Sequence, residues 1–414
     1  MAWHGMMVWL AAGIAVAAFA SPSWAEGTVA IPDGPGLLQQ LSPHVLAAPR
    51  TYPVPERDEG SIKAIFYEGL PYKGRATRVF AYVGMPQQAS VGKVPAVVLV
   101  HGGGGTAFAE WVRIWNDRGY AAIAMDLEGH VPQPQNQPVA HEHSGPSRQG
   151  IFGDIQLPLE EQWMYHAIAD VMLANSLLTA QPEVDADRIG VVGISWGGMI
   201  TGVVAGVDPR FRFAVPVYAC GFVYDSKGVF GLLGSSDPSV SQGRLWDPAR
   251  FLTQSTLPIL WVNGDSDNHF SLDATTRSYE ATAGSSFMTV HPAMKHGHPP
   301  GWDPTQVPEI YVFADSVVRG GTSLPRITQQ PEGRAPVLYY MSDRPIVEAL
   351  VIYATEPLRY ESNRICITWK SISANVDATA GSVSVDLPQD AKVYYINLTD
   401  DRGCIVSSCL RSLP

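Results

Sequence analysis

Apolar residues recur along this chain in two alternating patterns. Continuous apolar runs of four to seven residues at 94–100, 121–125, 189–192, 213–218 and 257–263 read as strands buried on both faces. A further run at 286–291 follows, and 62–67 and 78–83 read as the first strands. Between the runs lie a helix after a glycine loop (107–118), a long amphipathic helix (160–179), a small-residue helix (197–207) and a helix ending near Arg319. Strands that alternate with helices predict an α/β fold, with a mostly parallel sheet covered on both faces. After a Gly- and Pro-rich linker at 320–333 the period changes to short alternating strands at 335–340, 346–355, 366–370, 382–385 and 392–397. Residues 334–414 therefore read as an all-β sandwich of immunoglobulin or fibronectin type, with Trp369 in its core.

One strand-to-helix junction carries chemistry. Gly193-Ile194-Ser195-Trp196-Gly197 follows the 189–192 run and opens the small-residue helix, which is the G-x-S-x-G nucleophile elbow. Its two glycines let the turn close tightly around a strained serine. Upstream, 94–100 ends in His101-Gly102-Gly103-Gly104-Gly105, a run whose bare backbone N–H groups suit a developing oxyanion. Neither G-x-G-x-x-G nor a Gly-Lys-Ser/Thr ending is present, which argues against a nucleotide site. Downstream, 257–263 runs into Gly264-Asp265-Ser266-Asp267. Asp267 is the expected acid, reaching back towards a histidine, while Asp265 caps the turn. The run at 286–291 leads to His296-Gly297-His298, where either histidine is the candidate base.

These residues carry a resemblance. From about residue 64 to 319 the chain resembles α/β-hydrolases of the dienelactone hydrolase, acetyl xylan esterase and prolyl-oligopeptidase catalytic-domain kind. The resemblance implies an α/β-hydrolase fold over 60–320 and a triad in the order Ser195, Asp267, His296, with His296 preferred over His298 by the His-Gly pattern. It implies an oxyanion hole from the N–H groups of Trp196 and Gly103. The activity implied is serine hydrolysis of carboxylic esters, acyl groups on carbohydrate among them. A serine peptidase of prolyl-oligopeptidase type is the nearest alternative, and a non-catalytic binding protein the next. The chain departs from dienelactone hydrolases, whose nucleophile is cysteine, and it lacks the oligopeptidase propeller.

Two long connections should line the site. Residues 129–158 leave a strand end near Ser195, and 220–255 carry Phe222, Tyr224, Phe230 and Trp246. Trp163, Tyr165 and Phe222 are candidate substrate contacts. His141-Glu142-His143 is too short a pattern to predict a metal, and no cofactor is expected.

A formal net charge of −11 with no basic patch argues against nucleic acid as a partner and leaves a small-molecule or carbohydrate ester. The apolar 6–20 run, followed by Ser23 and Ala25, reads as a signal peptide over 1–25, hence a secreted or periplasmic protein with no membrane attachment after cleavage. Residues 26–59 are a proline-rich leader expected to pack on the hydrolase. Cys366, Cys404 and Cys409 leave disulfide connectivity open. All residues assigned to chemistry precede residue 320, so a chain cut after Arg319 is expected to keep reactivity towards a small ester while losing solubility or stability.

Overall fold

The apolar runs align in one nine-stranded sheet, seen in a computed structural model that describes residues 31–133, 139–229, 231, 243–297, 302–361 and 364–414. Its strands are β1 (Thr51–Pro53), β2 (Lys63–Glu68), β3 (Arg78–Gly84), β4 (Val94–Val100) and β5 (Ala121–Met125). A two-stranded hairpin, β6 (His130–Val131) and β7 (Val139–Ala140), stands apart, and β8 (Val184–Ile194), β9 (Ala214–Val217), β10 (Ile259–Gly264) and β11 (Ser286–His291) complete the sheet. The order is β1-β2-β3-β5-β4-β8-β9-β10-β11. Pairings from β5 through β11 are parallel and those of β1, β2 and β3 antiparallel.

Every residue of β4 is buried, and its side chains divide by the two-residue period between two cores. Val94, Ala96, Val98 and Val100 join α3 (Trp163–Thr179) and α4 (Trp196–Ala205) on one face. Val97 and Leu99 join α2 (Ala109–Asp117) and the helix Pro308–Val318 on the other. The helix expected to be amphipathic is not: α3 is buried from Trp163 to Leu178. The reason lies in the leader, where α1 (Gly34–Val45) seats Leu37, Leu41 and Val45 in the same core. Its N-cap Asp33 accepts from Gly36 N at 2.9 Å, a local signal the proline-rich reading passed over.

The C-terminal region is antiparallel throughout its described strands. One sheet pairs β12 (Arg326–Gln329), β13 (Val337–Met341), β18 (Asn375–Asp377) and β19 (Ser382–Ser384). The second pairs β14 (Ile346–Ala354), β17 (Lys370–Ser373), β20 (Val393–Asp400), β21 (Ile405–Ser407) and β22 (Arg411–Ser412). A short hairpin, β15 (Tyr360–Glu361) with β16 (Arg364–Ile365), stands beside them. β12 falls inside the segment read as a linker. Trp369 is only partly buried and packs against the hydrolase side. All four cysteines are unpaired, with Cys220, Cys404 and Cys409 buried. Among the described residues no helix is long and apolar enough to cross a membrane. The signal-peptide reading, Phe230 and His298 lie outside the described residues.

Candidate active site

The strand order reverses around β4, which has β5 on one side and β8 on the other. Loops leaving the C-terminal ends of β4 and β8 therefore diverge and open a crevice, the usual ligand position in such a sheet. The glycine run follows β4 and Ser195 follows β8. Ser195 holds φ 54° and ψ −120°, a strained conformation that costs a non-glycine residue about 1–3 kcal/mol. Its neighbours leave no room for side chains. A Cβ on Gly193 would stand 2.2 Å from Gly197 O, and one on Gly197 would stand 2.1 Å from Val100 O.

The hydroxyl so presented meets a histidine. Ser195 Oγ lies 2.8 Å from His296 Nε2, and His296 Nδ1 lies 2.9 Å from Asp267 Oδ2. An ionised carboxylate only accepts, so the geometry assigns the imidazole proton to Nδ1 and leaves Nε2 to accept from the serine. Asp267 is 1% exposed, and its Oδ1 accepts from His269 N at 2.6 Å and Phe270 N at 3.0 Å. Rings enclose the imidazole: Tyr218 at 4.7 Å, His269 at 4.3 Å and Phe270 at 5.8 Å between centroids. Burial, and then the neighbouring His296, hold His269 below the usual imidazole range. Tyr218 OH donates to Gly297 O at 2.7 Å and so anchors the histidine loop.

The glycine loop is oriented by His101. His101 Nε2 accepts from Leu127 N at 2.9 Å, which leaves Nδ1 to donate to Gly102 O at 2.7 Å. Gly105 N also donates to that carbonyl, at 3.0 Å. Because a trans peptide places C=O and N–H on opposite sides, fixing Gly102 O turns Gly103 N–H the other way. Gly103 lies against the elbow, where a Cβ would come 2.5 Å from Trp196 Cδ1. Trp196 is the first residue of α4, where helix geometry points backbone N–H groups out of the end.

The weaker candidates scatter. Trp163 is 3% exposed, donates from Nε1 to Leu127 O at 2.6 Å and meets Trp196 edge-on at 5.9 Å, so it forms the wall behind the elbow. Tyr165 is buried beside His166. Phe222 lies under the Arg277 guanidinium and lines a separate cavity of about 390 Å³ with Tyr224 and Arg244. His141 packs on Phe66, and His143 pairs with Glu142. Among the described residues the one group with metal-ligand spacing is Asp267, His269 and His296, whose ligand atoms lie within 4.8 Å of one another. Both ring nitrogens of His296 are already hydrogen-bonded there.

Sequence reasoning missed Arg148 and His101 as site residues. Nothing in the sequence of the 129–158 loop sets Arg148 apart. Its ion pair with Glu128, the residue just before that loop, becomes visible only once the loop folds back.

Residues 52–238 match the model of the acetyl xylan esterase (AXE1) family, and residues 224–360 that of the PhoPQ-activated pathogenicity-related protein family. No curated protein matches the chain. Among solved structures, an acetyl xylan esterase from Paenibacillus sp. R4 superposes with a TM-score of 0.53 at 19% identity, covering 68% of this chain and 92% of that one. Acetyl xylan esterase 1 from Thermoanaerobacterium sp. JW/SL YS485 gives 0.50 at 18% identity, covering 67% and 94%. With the sheet order and the elbow at its switch point, these likenesses place the chain in the α/β-hydrolase superfamily.

Proposed function

We propose that this chain is an exported serine hydrolase that cleaves carboxylic esters, acyl groups on carbohydrate among them. The observation that carries the proposal is the unbroken line of hydrogen bonds from Asp267 through His296 to the strained Ser195. Ser195 Oγ attacks the ester carbonyl as His296 Nε2 takes its proton. Asp267 holds the ring with its proton on Nδ1 and stabilises the imidazolium. The N–H groups of Trp196 and Gly103 receive the oxyanion. Collapse of the tetrahedral species expels the alcohol, which takes the proton from His296. Water, deprotonated by the same nitrogen, then releases the acid from the acyl-enzyme. The ester preference is supported by the acetyl xylan esterase family match, and export by the apolar 6–20 run.

A panel of acetyl esters and aminoacyl amides tests the reading. Ester turnover should exceed amide turnover, and Ser195→Ala should lower kcat by roughly 10⁴-fold, since only the oxyanion hole and binding remain. Ester hydrolysis that survives Ser195→Ala would end it.

A further inference from the structure

We propose that Arg148 forms a recognition site for a carboxylate carried by the ester substrate, beside the glycine loop. The inference rests on the serine-hydrolase reading above and adds a substrate class to it.

Arg148 is fixed from behind. Glu128, 6% exposed, accepts from Arg148 N at 3.0 Å and Arg148 Nε at 3.1 Å, and Arg148 Nη1 donates to Gly150 O. The guanidinium carbon stands 5.5 Å from the Trp196 ring centroid and 6.0 Å from that of Trp163. The remaining nitrogen, Nη2, has no hydrogen-bond partner among the described residues. It faces the glycine loop, where a Cβ on Gly103 would stand 3.2 Å from it. The unused edge of the fork thus projects beside the two residues, Gly103 and Trp196, assigned to the oxyanion.

Three roles compete for such a group. A purely structural pin would be complete with the Glu128 and Gly150 bonds and would need no open edge. A direct oxyanion donor would serve every ester alike. A carboxylate receptor uses what is left, a planar N–H edge held on aromatic faces, which is the guanidinium geometry suited to carboxylates. The molecule carries a formal net charge of −11, so its general field repels anions and a local cation is needed to hold one. Glu128 sets the strength of that cation by partly neutralising it.

The test compares kcat/KM for 4-nitrophenyl acetate with that for two carboxylate esters. Mono-4-nitrophenyl succinate carries the charge on the acyl side, and 4-acetoxybenzoate on the alcohol side. For at least one, Arg148→Gln should lower the ratio of carboxylate to neutral turnover about tenfold, through KM. Glu128→Gln should raise the same ratio by unmasking the guanidinium. Opposite signs are the signature, because loss of a structural ion pair from either end moves both variants the same way. An unchanged ratio in Arg148→Gln, or ratios that fall together, would overturn the proposal. Should Arg148→Gln fail to fold, the direction of the Glu128→Gln ratio decides alone. Ser195-dependent turnover of 4-nitrophenyl acetate by the unaltered protein reports on the hydrolase reading separately.

Discussion

Asp265 and Asp267 stand on one turn and use their carboxylates in opposite ways. Asp267 faces His296, whereas Asp265 Oδ1 accepts from Ala293 N at 2.7 Å and Asp265 Oδ2 accepts from Tyr395 OH at 3.1 Å. Burial pushes the Asp265 carboxyl above its ordinary range, although those donors pull it back in part. Asp265 therefore ties the acid turn to the histidine loop at Ala293, a non-glycine residue held at φ 60°. Asp267→Asn should lower kcat by about 10⁴-fold, because an amide favours the wrong imidazole tautomer. Asp265→Asn keeps an acceptor for Ala293 and should retain most turnover, with a lower melting temperature. Steady-state kinetics of the pair would refute the assignment if the order were reversed. Ser195 and the glycines were legible at this scale because close packing admits few residues at an elbow. The partners of Asp265 were not, since Tyr395 lies 130 positions away.

Among the elements, the apolar strands were legible because burial on both faces leaves one reading, and connections were not because their contacts are long-range. The 220–255 connection is fastened by Asp247. Its Oδ1 accepts from Phe222 N and Ala249 N, both at 2.8 Å, and its Oδ2 accepts from Val223 N at 3.0 Å. Burial raises this carboxyl to about 6, with the three N–H donors opposing. The folded protein then binds the Asp247 proton more tightly than the unfolded chain does. Its contribution to stability is full below pH 4 and is lost as pH rises through 6, on the order of 3 kcal/mol. Asp247→Asn removes this titration. The melting temperature of the unaltered protein relative to the variant should fall between pH 4 and 7. A difference constant across that window would contradict the account.

At the scale of the whole molecule, the C-terminal sheets do more than cover apolar surface. Ser407 Oγ accepts from Val290 N at 2.7 Å and Asn397 Nδ2 donates to Val290 O at 3.0 Å, so β21 and β20 protect the edge strand β11. Trp369 Nε1 donates to Asp265 O at 3.1 Å and Tyr360 OH to Asp267 O at 3.3 Å, which places the module directly behind the acid turn. The expectation that a chain cut after Arg319 keeps its reactivity gives way to a different one. Such a chain should lose Ser195-dependent ester turnover together with thermal stability, and a soluble truncation with full turnover would show that these contacts are dispensable. The change of period near residue 320 made the module legible as an element set, while its grip on the acid turn joins residues about a hundred positions apart and left no local trace. Every catalytic role proposed for this chain depends on activation of Ser195 by His296. Labelling with a fluorophosphonate, followed by intact mass and peptide mapping, tests it most directly. A single adduct on Ser195 is expected, absent from Ser195→Ala and greatly slowed in His296→Ala. An unmodified Ser195 in a protein that still hydrolyses esters would contradict it.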